Sequence, residues 1–134
     1  CTIFKPNLKE LQEGLGVQIE EINESTILNL HNKLNKKIKH QISLITLSEK
    51  GIFFQHNNKG EIIPAHIRNI ADVSGAGDTV VSIAALVYAA TKNIKITAQL
   101  ANLAGGIVCE ELGTTPINKE KFISEIKQYI KELK

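Results

Sequence analysis

Asp72-Val73-Ser74-Gly75-Ala76-Gly77-Asp78-Thr79 stands where a loop runs into a long apolar helix, read over Asp78 to Thr91. Two glycines bracket an alanine at that point. Small residues let backbone N–H groups come close to an anion, and a helix start adds unpaired donors and a partial positive charge. The segment therefore reads as a cradle for a phosphate. A carboxylate at Asp78 would repel that phosphate, unless its task is to take a proton from a hydroxyl that attacks it. The same residues also have a plainer reading, in which Gly75 and Gly77 make a tight turn and Asp78 caps the helix. Two other phosphate motifs are excluded. No G-x-x-x-x-G-K-[ST] occurs, and a dinucleotide fingerprint would need a third small residue where Val80 stands.

Around this segment helices and strands interleave. Ile3-Phe4 is the tail of a strand, broken by Pro6. Asn7 is placed to cap a helix from Leu8 to Glu13, ended by Gly14 and Gly16. Ser25 precedes a helical pattern with Ile27, Leu30, Leu34 and Ile38 on one face. Gln41 to Leu47 (QISLITL) reads as a buried central strand. Ile52 to Gln55 and Glu61 to Ile67 read as two more strands, joined by a hairpin-like Asn57-Asn58-Lys59-Gly60. The Asp78 helix is apolar enough to be buried on most sides. Thr97 is read as the cap of a helix through Glu111, and Asn118 as the cap of a last helix with Phe122, Ile126, Tyr129, Ile130 and Leu133 on its apolar face. The expected fold class is α/β, with a mainly parallel central sheet and a local antiparallel hairpin.

The chain has 134 residues, which points to one domain over residues 1–134. Hydrophobic residues make up 43% and charged residues 22%, which excludes a disordered chain. The net charge is +2 and Arg68 is the only arginine, so no nucleic-acid partner is expected. The longest apolar run, Val80 to Ala90, falls short of the roughly 20 residues that span a bilayer, so no membrane partner is expected. Two cysteines, Cys1 and Cys109, are too few for a disulfide scaffold, and Cys109 reads as inert core. No secretory signal pattern opens the chain, and a cytoplasmic setting is expected. Cys1 is not an initiator methionine, and the chain is expected to be part of a longer protein.

Three further stretches carry candidate residues. Asn7 and Glu10 lie one helical turn apart, so their oxygens share a face that could hold the water shell of Mg²⁺. A simple surface helix start is the commoner explanation of such a pair. Thr46-Leu47-Ser48-Glu49-Lys50-Gly51 follows the QISLITL strand, and ligands in open α/β sheets bind beyond the carboxyl ends of strands. Ala101-Asn102-Leu103-Ala104-Gly105-Gly106 reads as close helix packing, with Asn102 a candidate for the edge of a nucleotide base. His31, His40, His56 and His66 show no zinc spacing and are expected to be mostly solvated. No G-x-S-x-G elbow occurs.

Together these stretches resemble the ribokinase-like (PfkB-type) carbohydrate kinases. DVSGAGDT is similar to that family's C-terminal signature, KPNLKE to its N-x-x-E motif, TLSEKG to its nucleotide loop and ANLAGG to its adenine-lining helix. Lys5 stands where the family often has threonine. Within the family, GAGDTV, Gly106-Ile107-Val108 and Glu111-Leu112-Gly113-Thr114 resemble the branch that phosphorylates D-glycero-D-manno-heptose 7-phosphate at C1 in ADP-heptose synthesis, a precursor route for the lipopolysaccharide core. The resemblance implies a ribokinase-like layered αβα fold and ATP-dependent phosphorylation of a sugar hydroxyl. It implies Asp78 as general base, with Gly75, Ala76 and Gly77 as the anion hole. Asn7 and Glu10 would organise Mg²⁺ and the ATP phosphates, and Thr46, Ser48, Gly51 and Asn102 would border the nucleotide. Asp72, Ser74, Val108, Glu111 and Gly113 would be counterparts of a monovalent cation site, taken by K⁺ in some members. The implied partners are ATP and a phosphorylated sugar, with a homodimer formed through N-terminal segments outside this chain. Family members are longer; the matched stretches cover their C-terminal half, and most sugar contacts and the lid belong to the other half. The fused heptose enzymes continue into an adenylyltransferase domain with an H-x-G-H motif, which this sequence lacks. The chain alone is therefore expected to turn over sugar poorly. The competing readings are another ribokinase-like sugar kinase and a non-catalytic ATP-binding module.

Overall fold

The structure is a computed structural model that describes residues 1–66 and 68–133. It divides into two compact units, Cys1–Ala65 and His66–Lys134. The first unit is a four-stranded sheet with two helices, in the order β1 (Ile3–Phe4), α1 (Leu8–Leu15), α2 (Glu24–Lys37), β2 (Ile42–Thr46), β3 (Ile52–His56) and β4 (Lys59–Ile63). The strands lie in sequence order, with β1 parallel to β2 and the other two pairings antiparallel. The mixed α/β character is as expected, but the antiparallel share is larger than the sequence reading allowed. Two short connections, rather than one, return the chain beside itself.

Local chemistry sets the element ends. Asn7 Oδ1 accepts from the Glu10 amide and Glu10 Oε2 accepts from the Asn7 amide, each at 2.8 Å, a closed capping box at the start of α1. Helix α1 runs through Gly14 and stops at Gly16, where φ is +64°. Helix α2 starts a residue before Ser25, because Asn23 supplies the cap by accepting from the Thr26 amide. Ile38 falls outside its last turn and is exposed rather than on the buried face. Asn57 and Asn58 both take positive φ, as a two-residue primed turn requires, so β4 begins at Lys59 and ends before Pro64. The last residue expected in that strand, Ile67, lies outside the described residues. One core cluster of this unit joins Leu11, Ile27, Leu30 and Leu34 of the helices to Ile45, Leu47 and Phe53.

A polar relay runs beside this core from half-buried His40 to buried Ser43 and His31. His40 Nδ1 faces the Ile38 carbonyl oxygen at 2.6 Å, and a carbonyl only accepts, so that nitrogen carries a proton. In the neutral ring Nε2 is then the acceptor, and the Ser43 hydroxyl donates to it at 2.6 Å. His31 Nδ1 in turn donates to Ser43 Oγ at 2.7 Å. His31 is buried, against the expectation that the histidines are mostly solvated; His56 is exposed. Burial, and then the charge of His40, lower the pKa of His31. The unfolded chain thus binds a proton near pH 6.5 more readily than the folded one. The stability from a neutral His31 is fully present above that pH and is lost as pH falls towards the folded-state value. Urea unfolding should show a lower midpoint at pH 5.5 than at 7.5, and His31→Phe should flatten the difference.

The second unit is helical: α3 (Ala76–Thr91), α4 (Ile94–Val108) and α5 (Lys119–Glu132). Helix α3 begins two residues earlier than read, with Gly75 as its N-cap at φ +76°. Its main packing partner is α4, where Gly105 leaves no room for a Cβ, which would lie 2.7 Å from Val80 Cγ2. Close packing at the small-residue stretch is thus what Gly105 supplies. Helix α3 is not buried on most sides: Val80 and Ala84 are buried, whereas Val81 and Leu86 are exposed. Asn93, not Thr97, caps α4; Thr97 lies fully buried one turn in, its hydroxyl donating to the Asn93 carbonyl at 2.7 Å. Helix α4 ends at Val108. Asn118 caps α5 as read, by accepting from the Lys121 amide, but Ile130 and Leu133 on its apolar face are exposed. No described helix is long and apolar enough to cross a membrane.

Candidate functional site

The candidate residues fall into two groups, one in each unit. In the first unit, β1 and β2 are parallel, so their carboxyl ends lie on one side of the sheet. Asn7 forms a bridge with Thr46 there, and the Thr46 amide donates to the Pro6 carbonyl at 3.2 Å. The KPNLKE and TLSEKG stretches are thereby brought together at that end of the sheet. The capping box engages Asn7 Oδ1 and Glu10 Oε2, as a plain helix start would. It leaves Glu10, an exposed residue, with its second carboxylate oxygen unbonded among the described residues. That oxygen can accept from metal-bound water, so the pair fits the shell of a hydrated Mg²⁺.

Ser48 to Lys50 form a single 3₁₀ turn, with Ser48 at φ +53° and exposed. The Gly51 carbonyl accepts from the Leu47 amide at 2.8 Å, and the Gly51 amide donates to the Ser48 carbonyl at 3.1 Å. Gly51 has φ +101°, and a Cβ there would sit 2.0 Å from the Ile63 carbonyl oxygen. Its glycine is therefore demanded by the close approach of the chain after β4.

In the second unit the DVSGAGDT loop is tied to the turn after α4. The Ala71 and Asp72 amides donate to the Cys109 carbonyl at 2.8 and 3.2 Å. Asp72 Oδ1 accepts from the Ser74 hydroxyl at 2.7 Å and from the Ser74 amide at 2.9 Å. Its Oδ2 accepts from the Gly113 amide at 3.0 Å. The Ser74 hydroxyl, then the Ser74 and Gly113 amides, hold the Asp72 carboxyl below the usual carboxylate range. A Cβ on Gly75 would meet Thr114 Cγ2 at 2.8 Å, so the loop lies directly against that turn.

Gly75 provides no side-chain cap; the Ala76 amide donates to the Val73 carbonyl at 3.3 Å, and the next amide to bond back is that of Thr79, to the Gly75 carbonyl at 3.1 Å. The amides of Gly77 and Asp78 have no partner among the described residues. The Asp78 carboxylate is exposed and makes no hydrogen bond or ion pair among them. Unpaired donors at a helix N-terminus fit a phosphate, and an unengaged carboxylate beside them can take a proton.

Asp72, Ser74 and Gly113 are joined directly, and the Val108 carbonyl accepts from the Glu111 amide at 3.2 Å. A carbonyl has two lone pairs, so this bond leaves Val108 able to face a cation. The described residues hold no cluster of three His, Cys, Asp or Glu side chains fit for a metal ion. A cation at this turn would rest on main-chain oxygens. Asn102 is half-buried on α4, and Cys109 is buried, its thiol pushed up mainly by burial.

The sequence reading missed Arg68, Glu110, Lys121 and Glu125. The Arg68 side chain is only 8% exposed, its guanidinium paired with Glu125 and Glu110, and Lys121 Nζ lies 2.5 Å from Glu110 Oε2. Their separation in sequence hides them; the one local signal was a lone arginine just ahead of the glycine loop.

The parallel strand pair with its exposed turn belongs to the first unit and the glycine-led mouth of α3 to the second, elements of an α/β protein. Residues 1–121 match the family described as pfkB family carbohydrate kinase, and the chain belongs to that family. It is similar to the "Bifunctional protein HldE" of Campylobacter curvus, 37% identical over 120 residues, which cover 88% of this chain and 25% of that protein. The same-named protein of Helicobacter hepaticus is 36% identical over 132 residues, 97% of this chain and 26% of that one. The chain thus spans about a quarter of the length of these curated relatives. Among solved structures it is similar to Escherichia coli phosphofructokinase-2 in complex with potassium, with TM-score 0.81 and 17% identity, covering 97% of this chain and 41% of that one. It is also similar to the ribokinase of Thermotoga maritima, with TM-score 0.74 and 19% identity, covering 93% and 42%. The fold is ribokinase-like, as expected from the sequence.

Proposed function

We propose that the chain is the nucleotide-binding and catalytic portion of an ATP-dependent sugar kinase, acting on C1 of D-glycero-D-manno-heptose 7-phosphate. The observation that carries this reading is the mouth of α3, with the Gly77 and Asp78 amides unpaired next to an unengaged Asp78 carboxylate. The heptose acceptor rests on the likeness to HldE proteins and on the branch features around GAGDTV and Glu111 to Thr114.

In this reading the amides of Gly75, Ala76 and Gly77 stabilise charge on the transferring phosphoryl group, the Ala76 amide turning from the Val73 carbonyl to which it donates at 3.3 Å; each such donor contributes about 10²–10³ in rate. Asp78 removes the proton of the attacking hydroxyl. Asn7 and Glu10 hold the water shell of Mg²⁺, which when bound with ATP neutralises phosphate oxygens. Thr46, Ser48, Gly51 and Asn102 border the nucleotide. Asp72, Ser74, Val108, Glu111 and Gly113 form the surroundings of a monovalent cation; potassium is named with the phosphofructokinase-2 neighbour. Most sugar contacts come from the remainder of the protein, so the isolated chain transfers little, and the intact protein works in the cytoplasm.

The test is to give the full-length protein ATP, Mg²⁺ and one of three acceptors: the heptose 7-phosphate, fructose 6-phosphate or ribose. Phosphorus NMR should show a new phosphate at C1 of the heptose. Preferred transfer to another sugar would replace the acceptor, and ATP binding with no transfer would make the chain a non-catalytic nucleotide-binding module.

A further inference from the structure

Arg68 lies four residues before Asp72 and is the only arginine of the chain. Its Nη1 donates to Glu125 Oε1 at 3.2 Å and lies 3.3 Å from Glu110 Oε1, while Nη2 pairs with Glu125 Oε2. Lys121 holds the other oxygen of Glu110. The third nitrogen, Nε, is buried without a partner among the described residues. It lies over Gly106, where a Cβ would come within 2.8 Å of it. Helix α4 therefore carries a slot, made by a missing side chain, that receives the arginine.

This arrangement is a poor way to gain stability. Burying a guanidinium with one donor orphaned costs desolvation, and an apolar side chain in such a slot would often do as well. What an apolar side chain could not do is fix a direction. A planar fork that binds two carboxylates sets both the position and the angle of its own backbone. Glu110 adjoins Cys109, whose carbonyl accepts the Ala71 and Asp72 amides. Arg68 and Asp72 thus grip the same turn, at Glu110 and Gly113, from two points on the segment that leads into Gly75.

We propose that Arg68 is a positioning residue: clamped by Glu110 and Glu125 in the Gly106 slot, it fixes the aim of the Gly77 and Asp78 amides and of the Asp78 carboxylate. The proposal rests on the kinase reading for its consequence in rate, and on geometry alone for its consequence in order.

The experiment uses the full-length protein, with Arg68→Lys and, as an independent perturbation, Gly106→Ala. Lysine keeps the charge but is a point donor that cannot span two carboxylates. Both variants should lower kcat by about 10- to 100-fold, the scale of a small misplacement of reacting groups. The KM for ATP should stay within about twofold, as expected when ground-state binding is spared. Amide hydrogen exchange should quicken at residues 72–79 while the α3–α4 contact at Val80 and Gly105 keeps its protection. Unchanged kcat and unchanged exchange in both variants would overturn the proposal. So would exchange that quickens equally along α3, α4 and α5, which would mark Arg68 as a general support of the unit. If the unsubstituted protein transfers no phosphate to any sugar but the variants still loosen residues 72–79, the kinase reading fails and the positioning role stands.

Discussion

Replacing Asp78 by asparagine should reduce phosphoryl transfer by the full-length protein about 10²- to 10⁴-fold, the usual contribution of a positioned base. The change keeps the shape of the side chain and removes its ability to take a proton. The flanking amides of Gly77 and Asp78 belong to the main chain and are untouched. ATP affinity should therefore stay close to that of the unsubstituted protein, with any change towards tighter binding, since a negative charge next to the phosphates is gone. Helix α3 loses an acidic residue from its first turn, worth about 0.3–1 kcal/mol at an exposed helix start. That is too little to unfold the unit. Steady-state kinetics with a separate ATP titration checks both halves, and turnover at the original rate would remove Asp78 from the chemistry.

Gly51→Ala should be the most damaging small substitution in the first unit. The new Cβ would lie 2.0 Å from the Ile63 carbonyl oxygen, 2.6 Å from the Ala65 nitrogen and 2.7 Å from the Pro64 carbonyl carbon. All three are main-chain atoms, so no side chain can swing aside. The backbone at φ +101° and ψ −133° is also a region that glycine alone occupies readily. Overpacking and backbone strain each cost about 1–3 kcal/mol, so a loss of roughly 2–6 kcal/mol is expected. Thermal unfolding measures it. Gly14→Ala is the control, since nothing lies within 4 Å of a Cβ there and Gly14 sits inside α1. It should be neutral or stabilising, because alanine favours a helix over glycine.

Much of the architecture is legible in local chemistry. The caps at Asn7 and Asn118, the stop at Gly16 and the Asn57-Asn58 turn each depend on residues within a few positions of one another. Where two cap residues compete, sequence alone misleads. Ser25 and Thr97 are good caps by type, yet Asn23 and Asn93 take the role, because the extended backbone before each helix falls there. The apolar pattern of α3 announces a helix but not what covers it, so its exposed Val81 and Leu86 could not be foreseen. The burial of His31 is hidden for a similar reason, as its partner Ser43 arrives on β2.

The candidate site shows the same division. The Gly75–Asp78 segment is a continuous motif and could be read directly. The bonds that hold it, from Asp72 to Gly113 and from Arg68 to Glu125, join residues 41 and 57 positions apart, and no spacing rule connects them.

The reciprocal bonds between Asn7 and Glu10 have one more effect. Each side chain is tied to the other's backbone amide before any ligand comes. A long acidic side chain ordinarily surrenders about 1.5–2 kcal/mol of rotational freedom when it is immobilised. Here the capping box of α1 has already taken part of that loss. A hydrated cation arriving at this rim would meet a Glu10 side chain already tied in place, with less rotational freedom left to lose.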